Sequence, residues 1–259
     1  MRKLNTLSLG LSLWLGMIMA TGSALAAGAG GKITEHDWSF SGPFGYYDQA
    51  SLQRGFKVYR EVCSGCHGLE FISFRNFAEL GYNEDEIKAI AAEYEVVDGP
   101  NDEGEMFERA AIPADRYPSP FPNENAARAA NGGAYPPDLS LIVKARPNGA
   151  NYIYSLLTSY TDAPSEMDVP EGMHYNEAYA GQMIAMAAPL YGEDVDYADG
   201  SDTSIEAHAA DVVSFLAWAS EPEMEKRKRT GLAVLIFLSV MCVVSYKAKQ
   251  YIWSDVKKA

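Results

Sequence analysis

Cysteine is scarce in this chain of 259 residues, which has only Cys63, Cys66 and Cys242. The first two lie three positions apart, and the third lies inside an apolar run near the C-terminus. Three cysteines in this arrangement exclude the disulfide framework that holds many small secreted proteins together. The chemistry of Cys63 and Cys66 therefore depends on their immediate neighbours.

Basic residues are also scarce through most of the chain. Between residues 27 and 225 there are 11 lysines and arginines against 34 aspartates and glutamates, a net charge of −23. Such an acidic body excludes a nucleic acid as partner and favours a cationic one. The other basic residues lie close to the two ends of the chain.

The most informative stretch is Cys63-Ser64-Gly65-Cys66-His67. The C-x-x-C-H pattern is typical of covalent haem attachment, because two thiols on one turn can each form a thioether to the same porphyrin. The histidine that follows then stands under the iron as the proximal ligand. A zinc site would need a further pair of ligands at short spacing, and a thioredoxin-like redox pair would need a βαβ pattern. Cys63, Cys66 and His67 therefore predict one covalently bound haem c.

The sixth iron ligand is sought among the methionines, since a thioether favours the reduced iron. The segment 181–190 contains Met183 and Met186, is rich in small apolar residues, and has Pro189 near its end. Such a segment can lie flat against a porphyrin. The residues alone do not separate Met183 from Met186, and packing in the core is the commoner role of any single methionine.

Both ends of the chain carry apolar runs. Residues 1–26 combine a positive start, an apolar run and Ala24-Leu25-Ala26, which predicts a cleaved secretory signal peptide, with a retained anchor as the alternative. Near the other end, the run 231–246 is bracketed by basic residues, so 226–250 is predicted as a transmembrane anchor, with a buried core helix as the alternative. The signal peptide orients the chain: 27–225 lies in the periplasm and 251–259 in the cytoplasm, at a bacterial inner membrane.

The periodicity between these ends predicts a mainly α-helical domain. One helix, capped by Asp48 or Ser51, leads into the haem motif, and a second runs from Asn83 to Tyr94. Further helices are expected over 151–160 and from a capping box of Thr203 and Glu206 through Trp218. Pro222 ends or bends this last helix.

Three segments are expected to lack helices. The proline-rich, acidic stretch 98–125 is predicted to be a solvated loop. Residues 27–47 carry a cluster of aromatic residues that either covers a haem edge or forms a small satellite core. In the loop AARAANGGAYPPDLS, Arg128 is the sole cation, and it either is a solvated surface residue or pairs with a haem propionate.

Four motifs together resemble the cytochrome c1 family, the haem subunits of the ubiquinol–cytochrome c reductase (cytochrome bc1) complex. These motifs are LQRGFKVYREVCSGCHGL, ARAANGGAYPPDLSLIVKAR, GQMIAMAAPLYG and FLAWASEPEMEKRKRTGL. The resemblance covers nearly all of the chain after the signal peptide. It implies a class I cytochrome c core with large inserted loops, Met186 as the axial methionine, and Arg128 as the propionate-binding arginine. Ala188-Pro189 stands where the family often has two prolines, which we expect to change local packing only.

The resemblance also implies a mechanism and a set of partners. The protein would take one electron from a Rieske iron–sulfur subunit, pass it to a basic cytochrome c, and assemble with cytochrome b in the lipid membrane. It would be a redox subunit of an enzyme whose quinol chemistry occurs on other subunits. Two alternatives stay open: a free-standing membrane-anchored electron carrier, and a haem enzyme or sensor with an open sixth position.

Overall fold

The computed structural model describes residues 31–254. The predicted signal peptide and residues 255–259 of the predicted tail lie outside this range. Helices dominate the described part of the chain, as the periodicity predicts. They are α1 (Gln49–Val58), α2 (Glu84–Ala92), α3 (Glu124–Ala130), α4 (Ile142–Ala145), α5 (Gly149–Thr158), α6 (Ile205–Ser220) and α7 (Met224–Ile252). A 3-10 helix, Phe74–Leu80, lies between α1 and α2.

Two short antiparallel hairpins interrupt the helices. Strand β1 (Glu95–Asp98) pairs with β2 (Phe107–Ala110), and β3 (His174–Tyr175) pairs with β4 (Met183–Ile184). The expectation of a plain solvated loop over 98–125 is therefore wrong in part. The β1–β2 hairpin forms because Arg109 is held by ion pairs to both Asp98 and Asp115.

The crossing of α1 and α6 forms the centre of the core. At this crossing, a Cβ built on Gly55 would lie 2.0 Å from the carbonyl oxygen of Asp211, so the two backbones approach too closely for any side chain. Arg54 reinforces the contact, with its Nε 2.7 Å from Oδ2 of Asp211. Large fully buried side chains surround it, among them Leu52, Tyr59, Phe74, Phe77, Phe215 and Trp218. Burial of these apolar surfaces is the main stabilising contribution to the fold.

Local capping signals were predicted with mixed accuracy. Asp48, one of the two predicted candidates, caps α1, and Asn83 caps α2 as expected; Glu86 completes a capping box with Asn83 that was not predicted. Helix α6 is capped by the hydroxyl of Ser204, which accepts from the amide of Ala207, so the assignment of the cap to Thr203 is wrong by one residue. Serine is preferred over threonine as an N-cap, which agrees with the cap at Ser204.

Helix α7 is the C-terminal membrane-spanning helix. Its 29 residues include a window of mean hydropathy 2.0, none of which is buried in the structure. It is the one helix within residues 31–254 that is long and apolar enough to cross a bilayer. Pro222 lies in the break between the end of α6 and the start of α7, which confirms that it ends the preceding helix.

Candidate haem-binding site

The haem motif lies at the C-terminal end of α1, where the α-helix continues as a π-helical turn before it ends. Residues Tyr59–Cys63 form a π-helical turn, and the amide of Ser64 donates to the carbonyl of Tyr59 at 2.8 Å. The amide of His67 then donates back to the carbonyl of Cys63 at 3.0 Å. Single π turns inside α-helices often mark functional sites. Here the turn lets the chain leave the core with Cys63 half-buried and Cys66 exposed.

The protonation state of the Cys63 thiol helps to distinguish covalent haem attachment from a thioredoxin-like redox pair. Burial, and secondarily the neighbouring Cys66, raises the pKa of Cys63 to about 12. The group is therefore a thiol at neutral pH, which does not suit the activated thiolate of a thioredoxin-like pair. Within residues 31–254, no group of three or more His, Cys, Asp or Glu side chains is placed to hold a metal ion. The protonated thiol of Cys63 weakens the redox-pair interpretation.

The ring of His67 is held in one orientation. Its Nδ1 lies 2.7 Å from the carbonyl oxygen of Pro137. A carbonyl can only accept, so Nδ1 carries the proton and Nε2 is left with a free lone pair. Burial lowers the pKa of His67, although the bond to Pro137 acts in the opposite direction, and the neutral ring is thereby favoured. A neutral imidazole with an oriented Nε2 and two nearby thiols is the donor set that a c-type haem requires.

The loop that provides Pro137 runs beside the haem motif. The amide of Leu139 donates to the carbonyl of Gly68 at 2.9 Å, and the carboxylate of Asp138 accepts from the amide of Glu70 at 2.9 Å. Sequence reasoning missed Pro137 and Asp138 as supports of the site. The paired prolines at 136 and 137 are typical of a loop, but they do not show which part of the chain its backbone contacts.

The two candidate methionines lie in the second hairpin and just after it. Met183 belongs to β4 and pairs with Tyr175, whereas Met186 follows the strand. Both are half-buried. The hydroxyl of Tyr160 donates to the carbonyl of Met186 at 3.0 Å, which ties the backbone at that residue to the end of α5. The choice of Met186 over Met183 stays a prediction.

Arg128 lies on α3 and is exposed. Its guanidinium bonds the carboxylate of Glu124 at 2.6 Å and the carbonyl of Gly133 at 3.0 Å, and it lies 5.5 Å from the ring centre of Tyr135. A propionate would have to replace or share the partner Glu124. The role of Arg128 at a propionate also stays a prediction.

Trp38, in the aromatic cluster of residues 27–47, packs on α5. The indole of Trp38 donates to the side-chain oxygen of Asn151 at 2.6 Å, and its ring stacks on Phe40 with centroids 5.3 Å apart. Tyr154 meets the edge of Trp38 at 6.0 Å. These contacts support the satellite core rather than a cover for the haem edge.

With this geometry established, comparison with known proteins identifies the family. The model of the cytochrome C1 family matches residues 38–256. The chain belongs to the cytochrome c1 family. A cytochrome c1 of Rhodospirillum rubrum is 48% identical over 93% of this chain and 95% of its own length.

Two eukaryotic relatives extend the comparison. A protein of Arabidopsis thaliana named as a mitochondrial cytochrome c1 haem protein is 49% identical over 91% of this chain and 76% of its own length. A protein of Candida albicans is named the mitochondrial catalytic subunit of the cytochrome b-c1 complex, and it is 45% identical over 92% of this chain and 83% of its own length. The mainly helical cytochrome c1 domain with one long apolar C-terminal helix agrees with the fold expected from the resemblance.

Proposed function

We propose that this protein is the haem-bearing electron-transfer subunit of a cytochrome bc1 complex. The observation that carries the proposal is the His67 ring, fixed by the carbonyl of Pro137 at 2.7 Å beside the thiols of Cys63 and Cys66. The name of the Candida albicans relative supports membership of the complex. The contribution to catalysis is that of a redox subunit of ubiquinol–cytochrome c reductase.

Each site residue has one role in this proposal. Cys63 and Cys66 would form the two thioethers, and Nε2 of His67 and the thioether sulfur of Met186 would hold the iron. A bound haem c would supply reversible one-electron oxidation and reduction of its iron. With two side chains holding the iron, the protein would leave no position for a substrate at the metal. The hydrogen bond from Nδ1 of His67 to the carbonyl of Pro137 would keep the ring in place while the charge of the iron changes.

The partners and the topology follow from the same proposal. The protein accepts one electron from a Rieske iron–sulfur protein and gives it to a basic cytochrome c, within an assembly that also contains cytochrome b. Residues 27–225, with a net charge of −23, face the periplasm, where an acidic surface attracts a basic carrier over long range. The signal peptide 1–26 is cleaved, the anchor 226–250 crosses the inner membrane, and the tail 251–259 faces the cytoplasm. Arg128 binds a haem propionate.

Co-purification tests the assembly. The full chain, tagged at its C-terminus, is isolated from detergent-solubilised bacterial membranes, and the bound proteins are identified and quantified. We expect cytochrome b and a Rieske protein in equal amounts with the tagged chain. Isolation of the haem-loaded chain alone would overturn complex membership and indicate a free-standing carrier.

A spectroscopic test addresses the other alternative. Carbon monoxide added to the reduced, purified protein should leave the haem spectrum unchanged, because both axial positions are filled. A strong change on adding the gas would indicate an open sixth position, as in a haem enzyme or sensor.

A further inference from the structure

The loop before α1 is tied to the first turns of the membrane helix. The ammonium group of Lys228 donates to the carbonyl of Phe40 at 2.8 Å and to that of Gly45 at 3.2 Å. The amide of Tyr47 donates to the carboxylate of Glu225 at 2.8 Å. Lys228 is half-buried, whereas its basic neighbours 226, 227 and 229 are exposed. The side chain of Lys228 therefore holds the loop against the start of α7.

The other end of the same loop is fixed to α6. The hydroxyl of Tyr47 donates to the carbonyls of Ala217 at 3.1 Å and Glu221 at 3.3 Å. Phe40 packs beside it, with ring centroids 5.5 Å apart. The loop therefore has a defined position relative to the start of α7, and we call residues 42–46 the loop tip.

The loop tip exposes two large aromatic side chains. Phe44 is 79% exposed and Tyr46 is 63% exposed. Neither is needed to fill the satellite core, which is formed by Trp38, Phe40 and Tyr47 on the same loop. Large aromatic side chains bring much apolar surface, and tyrosine is enriched at interfaces where one end of the ring is apolar and the other meets water.

The position of the loop tip along the bilayer normal follows from the position of the apolar part of α7 in the bilayer. The far end of that helix carries exposed Tyr251 and Trp253, residues typical of a membrane–water interface. The apolar run 231–246 is bracketed by basic residues, so the hydrocarbon region starts near Leu232. Lys228 lies one turn earlier, about 6 Å along the helix axis. The carbonyls that it binds therefore lie at the level of the lipid headgroups.

Helix α7 has no aromatic residue at this level. Its first aromatic residue is Phe237, well inside the span, although interfacial tyrosines and tryptophans are enriched at both ends of membrane helices. We propose that the loop tip inserts Phe44 and Tyr46 into the headgroup region of a phospholipid bilayer, and so provides the aromatic belt that the start of α7 lacks. The haem domain is then attached to the membrane at two points, which fixes its tilt.

Site-directed spin labelling tests this proposal on the full, haem-loaded chain. In a Cys242→Ala background, single variants Phe44→Cys and Tyr46→Cys are labelled with a nitroxide and placed in phosphatidylcholine nanodiscs at one copy per disc. The haem is kept in the reduced form. Accessibility of each label to oxygen, which concentrates in lipid, is compared with accessibility to a water-soluble nickel chelate. Leu232→Cys is the reference inside the span, and Val97→Cys, whose native side chain is 65% exposed, is the reference in water.

We expect the ratio of nickel to oxygen accessibility at residues 44 and 46 to be severalfold lower than at residue 97 and closer to that at residue 232. A ratio equal to that at residue 97 would place the tip in water and overturn the proposal. Labels shielded from both reagents would show a protein contact instead and would overturn it equally. The label taken up by the Cys242→Ala parent reports separately whether Cys63 and Cys66 are bound in thioethers, so failure of the haem proposal is distinguishable.

Discussion

The two halves of the candidate haem site are built in different ways. The attachment half, with Cys63, Cys66 and His67, continues a core helix whose crossing with α6 brings two backbones into direct contact at Gly55. The methionine half lies on a segment with a two-residue strand, and a hydrogen bond from Tyr160 fixes the carbonyl of Met186. Core packing therefore positions the first half, whereas hydrogen bonds to a loop position the second.

This difference separates two properties of the cofactor. Attachment requires the thiols and the proximal ring to be close together, and a short motif on one turn guarantees that. In the proposed site, the redox potential would depend on the methionine ligand from the loop, which can be changed with little effect on the core. Damage to the attachment half should therefore remove the haem, while damage to the methionine half should leave it bound but altered.

The largest effect is expected from the double variant Cys63→Ala/Cys66→Ala. Without either thiol no thioether can form, so covalent haem should be lost completely. Haem staining after denaturing electrophoresis measures this. Each single variant should keep one thioether and mature poorly. Normal covalent haem in the double variant would contradict the whole assignment.

Met186→Leu should keep the haem attached but remove the second axial ligand. The reduction potential should fall on the order of 0.2 V, since axial ligands tune haem potentials over about 0.8 V. The reduced protein should also become able to bind carbon monoxide. Redox titration and gas binding measure the two effects. Met183→Leu is the matched control, and if that variant shows these changes while Met186→Leu does not, the sixth ligand is Met183.

Gly55→Val tests the packing that supports the attachment half. A Cβ would meet the backbone oxygen of Asp211 at 2.0 Å and its carbon at 2.6 Å, so α1 and α6 must move apart. Overpacking of this kind should lower the free energy of unfolding by about 3 kcal/mol. Denaturant unfolding followed by circular dichroism measures the loss. Gly231→Ala is the control, because nothing lies within 4 Å of its Cβ position, and equal losses in both variants would contradict the close crossing.

Features encoded by neighbouring residues could be predicted from the sequence. The Asn83 cap of α2, the helix into the haem motif and the span of α7 all depend on residues a few positions apart. The β1–β2 hairpin could not be predicted in the same way, because its support is an arginine shared between Asp98 and Asp115 within an acidic, proline-rich stretch.

Long-range contacts at the site could not be predicted from the sequence, because the residues that form them are far apart in the chain. The bond from His67 to Pro137 joins residues 70 positions apart, and no local pattern specifies it. The π turn Tyr59–Cys63 likewise has no local sequence pattern; it begins at Tyr59, which is fully buried in the core. Arg128 was paired with a propionate from the resemblance, and the structure adds a competing carboxylate from Glu124 that spacing alone did not single out.

Tyr160→Phe should loosen the methionine half by a small amount. Burial raises the pKa of the Tyr160 hydroxyl, which therefore stays protonated and donates to the carbonyl of Met186 at 3.0 Å. Loss of this bond should cost about 1 kcal/mol, which should make displacement of the methionine by added imidazole about fivefold more favourable. Imidazole titration of the oxidised protein measures the change. Tyr191→Phe, at a side chain 73% exposed, should have no effect, and equal changes in both variants would contradict a specific role for Tyr160.

The smallest effect concerns the acidic stretch 193–202, which follows the methionine half. Three of its carboxylates have local tasks: Asp194 accepts from the amide of Tyr191, Asp199 from that of Ser201, and Asp202 from that of Ser204. Glu193 and Asp196 are exposed, which makes their charges the better candidates for attracting a basic cytochrome c.

The variant Glu193→Lys/Asp196→Lys should lower the rate of electron transfer to a basic cytochrome c by roughly two- to fivefold at low salt. Charges at the rim of an interface act mainly on the rate at which the two proteins associate. The screening length is about 8 Å at physiological ionic strength, so the difference should shrink as salt rises. Stopped-flow oxidation across a salt series measures the difference.

The matched variant Glu103→Lys/Glu105→Lys makes the same change of charge in the turn between β1 and β2. If both variants slow the reaction equally, the whole acidic surface steers the partner. If only the Glu103→Lys/Glu105→Lys variant slows it, the partner docks nearer the turn between β1 and β2 than the stretch 193–202. A rate independent of salt in every variant would mean that these carboxylates serve solubility alone.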